Sequence, residues 1–382
     1  MKKTYLLAPG PTPVPPEVLL RMAQPVIHHR TPQFDAALVE VTEGLKRVFR
    51  TANDVLILTS SGSGAMEAAV VNTVRAAEKA LVVRGGKFGE RWGDICQAFG
   101  IPFTAIDVEW GRAVDPEVIR KHLQADPSIG IVCTTLCETS TAVVTDIAAI
   151  GRIVRETKAV LAVDGISAVG AIPMETDGWG VDLLAVGSQK ALMLPPGLAF
   201  IAVSPKAWAK IDAAPTRCFY FNLKEARTAF AQKTTPWTPA LTLVLGLQES
   251  LKMIEAEGLE NIWARTKVHA KAARAAAEAL GLSLYAKDPS DCVTAIIFPP
   301  NVKGEAVVKK MRDEYGVTVA GGQEQLKGKI CRISHMGYVE EMDLLVAISA
   351  LEMALTEAGV PLRLGAGVAA AQKVFLDAKA RK

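Results

Sequence analysis

Between residues 54 and 203, short apolar runs alternate with stretches whose apolar residues recur at helical spacing. Near-continuous apolar strands separated by helices indicate a mostly parallel sheet with helices on both faces. The pattern predicts strands at 55–58, 80–83, 103–108, 129–134, 159–163, 181–186 and 198–203. Helices are predicted at 32–49, 65–77, 88–99, 115–124 and 147–156. The fold class is therefore α/β, with a large domain built on a mostly parallel seven-stranded sheet.

The pattern changes on both sides of this region. Residues 8–16 contain five prolines, which remove amide donors and fix φ, so this stretch is predicted to be extended within an N-terminal arm over residues 1–20. Pro16 suits the first turn of a helix predicted over residues 17–23. After residue 204 periodicity loosens, and residues 217–235 are interpreted as a surface excursion. A long helical region over 239–280, broken or bent near Gly258, leads into an α+β pattern. We predict a large domain over 21–255 and a smaller C-terminal α+β domain over 256–382, with a terminal helix.

Composition narrows the class of protein. Of 382 residues, 50% are hydrophobic and 22% are charged, and 43 Lys and Arg balance 40 Asp and Glu. A nucleic-acid or membrane-surface protein would need a basic patch, so neither partner is expected. The apolar stretch after Met1 ends at Pro9, which is too short for a signal peptide, and a cytoplasmic protein is predicted. The six cysteines show no CxxC spacing and the five histidines suggest no metal site.

A serine- and glycine-rich loop, Ser60-Ser61-Gly62-Ser63-Gly64, follows the first strand and opens a helix. Glycines allow close backbone approach and a helix N-terminus favours an anion, so a phosphate is expected here. A Walker A loop is excluded because Gly-Lys-Ser/Thr is absent, and a dinucleotide loop because the next strand ends without an acid. An ordinary helix N-cap is the alternative.

Two further residues fall at the ends of buried strands. Asp164 ends the strand 159–163, where it could accept loop amides or pair with a cationic ligand nitrogen. Lys190 follows the strand 181–186, where it could be a surface lysine or a nucleophile for a carbonyl. Because parallel strands end at one edge of a sheet, the loop, the aspartate and the lysine converge. A ligand with a phosphate, a basic ring nitrogen and an aldehyde would meet all three, and pyridoxal 5′-phosphate (PLP) is such a ligand.

The chain resembles the class V aminotransferases, which are PLP enzymes of fold type I, and within them the alanine–glyoxylate and serine–glyoxylate (serine–pyruvate) aminotransferases. The resemblance covers nearly the whole chain. It is carried by Ala8-Pro9-Gly10-Pro11-Thr12, Ser61-Gly62-Ser63-Gly64-Ala65-Met66-Glu67-Ala68-Ala69, Val163-Asp164, Gly187-Ser188-Gln189-Lys190-Ala191-Leu192, Pro195-Pro196-Gly197 and Arg332-Ile333-Ser334-His335-Met336-Gly337.

The resemblance implies a role for each matching residue at the cofactor. Lys190 would be the Schiff-base lysine and proton shuttle, and Asp164 would hold the pyridine nitrogen. The phosphate would be held by Ser61, Gly62, Ser63 and Gln189. Phe88 would stack on the ring, although simple core packing is its alternative, and Thr139 would bond the ring's 3′-oxygen.

The resemblance also implies a substrate site and a homodimer. Arg332 would clamp the α-carboxylate of a small amino acid, or else face solvent, and the backbone at Gly10 would close over the substrate. Thr234, or Thr235 in its place, would reach the partner's phosphate, with the arm completing the same site. A family tyrosine is Ala231 here, which puts that contact in question. His28, His29 and Arg30 would line the entrance or be structural.

The implied reaction is a PLP-dependent transamination from alanine or serine to glyoxylate or pyruvate. No second cation is identified that would hold an acidic side chain, which favours a small neutral donor. A cysteine desulfurase or another class V PLP lyase is the enzymatic alternative, but those desulfurases carry histidine beside the lysine where Gln189 stands here. A non-catalytic phosphate- or nucleotide-binding protein is the alternative from another class.

Overall fold

The computed structural model describes residues 3–380. Its strands are β1 (Tyr5–Leu6), β2 (Asp54–Leu58), β3 (Lys79–Arg84), β4 (Phe103–Asp107), β5 (Ile129–Thr135), β6 (Cys137–Glu138), β7 (Val143–Val144), β8 (Val160–Asp164), β9 (Leu183–Gly187), β10 (Ala199–Val203), β11 (Val293–Ile297), β12 (Val317–Thr318), β13 (Ala320–Gly321) and β14 (Ile330–Ser334). Its helices are α1 (Pro16–Met22), α2 (Pro32–Phe49), α3 (Gly62–Thr73), α4 (Lys87–Ala98), α5 (Pro116–Ala125), α6 (Ile147–Arg155), α7 (Thr176–Trp179), α8 (Pro205–Ala213), α9 (Leu223–Ala231), α10 (Leu241–Glu257), α11 (Leu259–Ala279), α12 (Gly304–Asp313), α13 (Glu341–Glu357) and α14 (Ala366–Lys379).

The central sheet has seven strands in the order β2-β10-β9-β8-β5-β3-β4. Strands β4, β3, β5, β8 and β9 run parallel to one another, whereas β10 is antiparallel to both of its neighbours. The predicted mostly parallel seven-stranded sheet of an α/β fold is confirmed.

Burial on both faces explains why these strands are apolar without alternation. Successive residues belong to different core clusters: Leu161 packs with α2, α6 and α10 on one face, and Ala162 packs with α3 and α4 on the other. Since β5, β8 and β9 run parallel, the residues that follow Thr135, Asp164 and Gly187 emerge at one edge. The loop before α3 joins them, because β2 also runs parallel to β9.

A second group of elements follows α10. Strands β11, β14 and β13 form an antiparallel sheet, and α11, α13 and α14 pack with it around a separate apolar cluster. Gly258, at φ +83°, separates α10 from α11 at the predicted break in the long helical region. The domain boundary between residues 255 and 256 stays a prediction, and this break lies close to it.

Three local features were not predicted from the sequence. Residues 217–235 contain α9, whose first amides are capped by the side chain of Asn222. The looser stretch after residue 204 contains α8, which begins with Pro205 and is capped by Ser204. The N-terminal arm begins with β1, which pairs in parallel with β12 of the C-terminal part. In the first two cases a capping side chain was the available sequence signal.

Within the described residues, none of the helices has both the length and the hydropathy that crossing a membrane requires.

Candidate active site

Lys190 lies three residues after β9, underneath the N-terminal arm of its own chain. Its Nζ donates to the carbonyl oxygen of Pro9. The arm is held in place by Thr12, whose amide donates to the carbonyl of Gln189 (3.1 Å) and whose hydroxyl donates to that of Lys190 (2.8 Å). Burial lowers the pKa of Lys190 to about 8, against the opposing effect of Asp164. Part of the amine is therefore neutral near neutral pH, as a nucleophile requires.

Gly10 is the point of closest approach between the arm and the lysine. A Cβ at this position would lie 2.3 Å from Nζ of Lys190, and Gly10 has φ +124°. Only glycine meets both conditions without strain. The structure thus places Gly10 over the lysine of its own chain. Pro9 and Thr12 contact Lys190 of the same chain, and the expectation that the arm completes the partner's site stays a prediction.

Asp164 ends β8 with a side chain that is only 4% exposed. Burial raises its pKa to about 7, and the nearby Glu138 acts in the same direction. The amide of Ile166 donates to Asp164 Oδ1 at 2.9 Å and opposes the rise only in part. A carboxylate in such a place is stabilised by a cationic partner, and a protonated pyridine nitrogen would be one.

The loop at Ser61 has the features of an anion site. Ser61 caps α3 without a side-chain hydrogen bond, so the first amides of a twelve-residue helix have no side-chain acceptor. Gly62 is pressed against Ile166, where a Cβ would lie 2.5 Å from Cδ1. The amide oxygen of Gln189 is buried with no hydrogen-bond partner within residues 3–380. An uncapped helix start and a glycine cradle fit the phosphate end of PLP; of the Gln189 side chain only the NH₂ group could donate to a phosphate, since its unpartnered oxygen is an acceptor.

Phe88 and Thr139 are held together by a residue whose role sequence reasoning missed. The buried carboxylate of Glu138 accepts from the amides of Phe88 (3.1 Å) and Gly89 (2.8 Å), and from the amide and hydroxyl of Ser140. Thr139 donates its hydroxyl to Ser167 at 2.6 Å. Glu138 therefore fixes the start of α4, from which Phe88 projects. An acid between an apolar strand and a run of hydroxyl residues was the signal available for it.

Arg332 projects from β14 and is only 5% exposed. Its Nε and Nη2 donate to the carbonyl of Gly321, and its Nη1 donates to that of Thr139 at 2.8 Å. These bonds use three of the five N–H groups of a guanidinium, and two remain for a substrate carboxylate. Burial lowers the pKa of Arg332 to about 10, which leaves it charged at neutral pH.

The residues predicted to reach a partner subunit or to line the entrance make contacts away from Lys190. Arg30 donates to the hydroxyl of Thr234, and Thr235 donates to the carbonyl of Trp237 at 2.7 Å. The rings of His28 and His29 lie 4.7 Å apart. Among the hydrogen bonds of residues 3–380, none joins these side chains to Lys190, and their roles at the partner's phosphate and at the entrance stay predictions.

The cysteines bear on the desulfurase alternative. All six are free thiols. Burial raises the pKa of Cys331 to about 12 and that of Cys292 well above its usual value. A nucleophilic cysteine needs thiolate character and access, and neither of these thiols has them.

Comparison with known proteins gives a consistent result. The family model described as aminotransferase class-V matches residues 4–345. The chain is 38% identical to an L-aspartate–glyoxylate aminotransferase of Paracoccus denitrificans, over 97% of this chain and 96% of the relative. It is also 38% identical to a serine–glyoxylate aminotransferase of Hyphomicrobium methylovorum, over 97% and 94%.

One similar relative carries a different name, and one solved structure extends the likeness to the fold. The small subunit of a soluble hydrogenase from a Synechococcus species is 42% identical, over 98% of this chain and 99% of the relative. The crystal structure of a ureidoglycine–glyoxylate aminotransferase from Bacillus subtilis has a TM-score of 0.95 with 28% identity, and covers 98% of each chain.

Proposed function

The chain belongs to the class-V aminotransferase family, and on that premise we propose how its residues transfer an amino group from a small amino acid to a small 2-oxo acid. The chain is a PLP-dependent aminotransferase. The main observation behind the proposed residue roles is that Lys190, with a lowered pKa, and Asp164, with a raised pKa, lie at the same edge of the sheet. Burial favours the neutral form of both groups, which suits a lysine that acts as a base and leaves the aspartate in need of a cationic partner.

PLP, when bound, supplies an aldehyde that reacts with amines and a ring that accepts electrons from the α-carbon. Lys190 Nζ is the base that removes the proton from the α-carbon of the substrate and later returns a proton. Its lowered pKa keeps part of the amine neutral for this step. The carboxylate of Asp164 would pair with the ring nitrogen and keep it protonated. The first amides of α3, with Ser61, Ser63 and the NH₂ of Gln189, would hold the phosphate.

Arg332 selects substrates that carry an α-carboxylate. Its two remaining N–H groups bind the carboxylate, while Gly321 and Thr139 hold the guanidinium in place. The backbone at Gly10 covers the lysine and excludes water from the proton transfer. The relatives from Paracoccus and Hyphomicrobium are named for aspartate and serine as donors, with glyoxylate in both names. We infer a small neutral donor, alanine or serine, with glyoxylate or pyruvate as the acceptor.

A lysine replacement tests the reaction. Lys190→Ala should abolish amino transfer and the cofactor adduct that borohydride fixes to the wild-type protein. Lys206→Ala is the matched control, because Lys206 is also partly buried but pairs with Asp182 at the opposite end of the sheet. Amino transfer is measured from a panel of amino donors with glyoxylate, pyruvate and 2-oxoglutarate. Sulfide released from cysteine, without amino transfer from alanine or serine, would show that the proposed reaction is wrong.

A homodimer is part of the proposal. Phe219 is 77% exposed, Leu20 is 66% exposed and Val26 is 65% exposed, and exposed apolar side chains of this size are typical of interfaces. Thr234 and Thr235 would then reach the phosphate of the second subunit. Light scattering coupled to gel filtration should give twice the chain mass of 40.7 kDa, and a monomer that is fully active would contradict this part. A cytoplasmic location is proposed from the sequence, and cell fractionation tests it.

The hydrogenase name belongs to the Synechococcus relative. Within residues 3–380 no group of three or more His, Cys, Asp or Glu side chains is placed to hold a metal ion. No observation on the described residues therefore favours that name as a second candidate function.

A further inference from the structure

Arg91 is a charged residue of the site that neither the sequence motifs nor the proposed reaction includes. It lies on α4, three residues after Phe88, so both side chains project from the same face of the helix. The guanidinium carbon lies 4.9 Å from the centre of the Phe88 ring and covers one of its faces. A cation at this distance attracts the ring electrostatically. The cofactor ring can then stack only on the opposite face of Phe88.

The same guanidinium reaches the phosphate loop. Nη1 of Arg91 donates to the hydroxyl oxygen of Ser63 at 3.0 Å. A serine hydroxyl has one hydrogen to donate, and here its oxygen already accepts from Arg91. The hydrogen of Ser63 is therefore left for an acceptor on the other side, which is the role a phosphate oxygen fills.

The charge of Arg91 is not neutralised by an ion pair within the part of the chain that the structure describes; its guanidinium donates to Ser63 and lies over the ring of Phe88. Its field reaches the reacting groups, because it lowers the pKa of both Asp164 and Lys190, as a minor contribution beside burial. A phosphate monoester carries a charge of about −1.5 to −2 at neutral pH. An unpaired arginine beside an uncapped helix N-terminus complements that charge.

We propose that Arg91 is a positioning residue for the cofactor: it sets the Ser63 hydroxyl as a donor to the phosphate, adds positive charge beside it, and backs the ring-stacking face of Phe88. This inference rests on the proposed function. It links the phosphate end and the ring end of one ligand through a single side chain.

The experiment compares PLP with pyridoxal, which has the same ring and aldehyde but no phosphate. Apo-protein is titrated with each compound and binding is followed by tryptophan fluorescence. Arg91→Gln should weaken PLP binding about tenfold, the usual effect of losing a charge-assisted hydrogen bond, while pyridoxal binding changes by a much smaller factor. Arg91→Lys, which keeps the charge, should recover part of the loss. Inorganic phosphate should compete with PLP less well in Arg91→Gln than in the wild type.

Two further variants keep the result interpretable. Arg84→Gln, which removes an arginine that is already paired with Asp107, should leave both affinities unchanged. Ser63→Ala combined with Arg91→Gln should weaken PLP binding less than the two single effects added together, since one acts through the other. Equal losses for PLP and pyridoxal, or no loss in Arg91→Gln, would overturn the inference and leave the proposed function intact. Failure of the wild-type protein to bind PLP would overturn both.

Discussion

Gly10→Ala tests whether the arm controls the position of the reactive amine. The new Cβ would lie 2.3 Å from Nζ, 2.5 Å from Cε and 2.7 Å from Cδ of Lys190. Ordinary contact begins at 3.4 Å, so the amine must retreat by about 1.1 Å, the difference between 3.4 and 2.3. A displacement of about 1 Å in a reacting group lowers rates about 100-fold. The hydrogen bond from Nζ to Pro9 is lost with it.

The substitution also strains the backbone, because Gly10 has φ +124°. Strain of this kind destabilises a fold by about 1–3 kcal/mol. Gly100→Ala is the matched control, since Gly100 has φ +61° and no atom within 4 Å of the added Cβ. Both variants should unfold at lower temperature than the wild type. Only Gly10→Ala should lose turnover, by about 100-fold at saturating donor and acceptor, together with the adduct that borohydride traps on Lys190. Wild-type turnover in a folded Gly10→Ala protein would refute the steric account, and equal losses in both variants would assign the effect to backbone strain.

Three further predictions follow from the buried charges. Burial raises the pKa of Asp164 from 3.8 to about 7, so the native apo-protein holds this proton more tightly than the unfolded chain does and loses stability as pH rises from about 4 through about 7. Asp164→Asn should therefore raise the melting temperature of the apo-protein at pH 8, leave it unchanged at pH 4, and abolish amino transfer. A lower melting temperature of the variant at pH 8 would contradict the raised pKa of Asp164. Arg332→Lys should raise the KM for the amino donor more than about tenfold with a smaller effect on kcat, because lysine has no planar group that binds both oxygens of a carboxylate. A fall in kcat alone, measured by steady-state kinetics, would contradict the role of Arg332 in substrate binding. Glu138→Gln should lower the free energy of unfolding, measured in urea, by about 1–3 kcal/mol, because an amide NH₂ group would then face the backbone amides of Phe88, Gly89 or Ser140. An unchanged urea midpoint would show that these hydrogen bonds do not contribute to stability.

The location of the site could be predicted because local patterns and one general rule were enough. Strands β5, β8 and β9 are buried on both faces, so their apolar runs are visible in the chain. Parallel strands present the residues that follow them at one edge of the sheet. Asp164, Lys190 and the loop at Ser61 could therefore be placed together from the order of residues alone. The class-V resemblance added Arg332, which the structure joins to Thr139 across the site.

Capping signals explain part of what sequence reasoning missed. Asn222 and Ser204 cap α9 and α8 through hydrogen bonds to amides two or three residues later, and such local contacts leave a pattern in the sequence. Glu138 is different, because its partners Phe88 and Gly89 lie about fifty residues earlier on another element. The distance along the chain hides such contacts from any local pattern.

The α/β class, the seven strands and the strand-end positions of the lysine, the aspartate and the phosphate loop could be read from the order of residues, because hydrophobic periodicity is a local property and parallel pairing follows a general rule. Three features emerged only from the packed fold: the arm lies over Lys190 of its own chain, Gly10 must be glycine there, and Arg91 joins Ser63 to Phe88. These contacts join segments that are distant in the chain. The shifted pKa values of Lys190 and Asp164 depend on the same packing, because burial is their main cause and burial exists only after the elements have assembled.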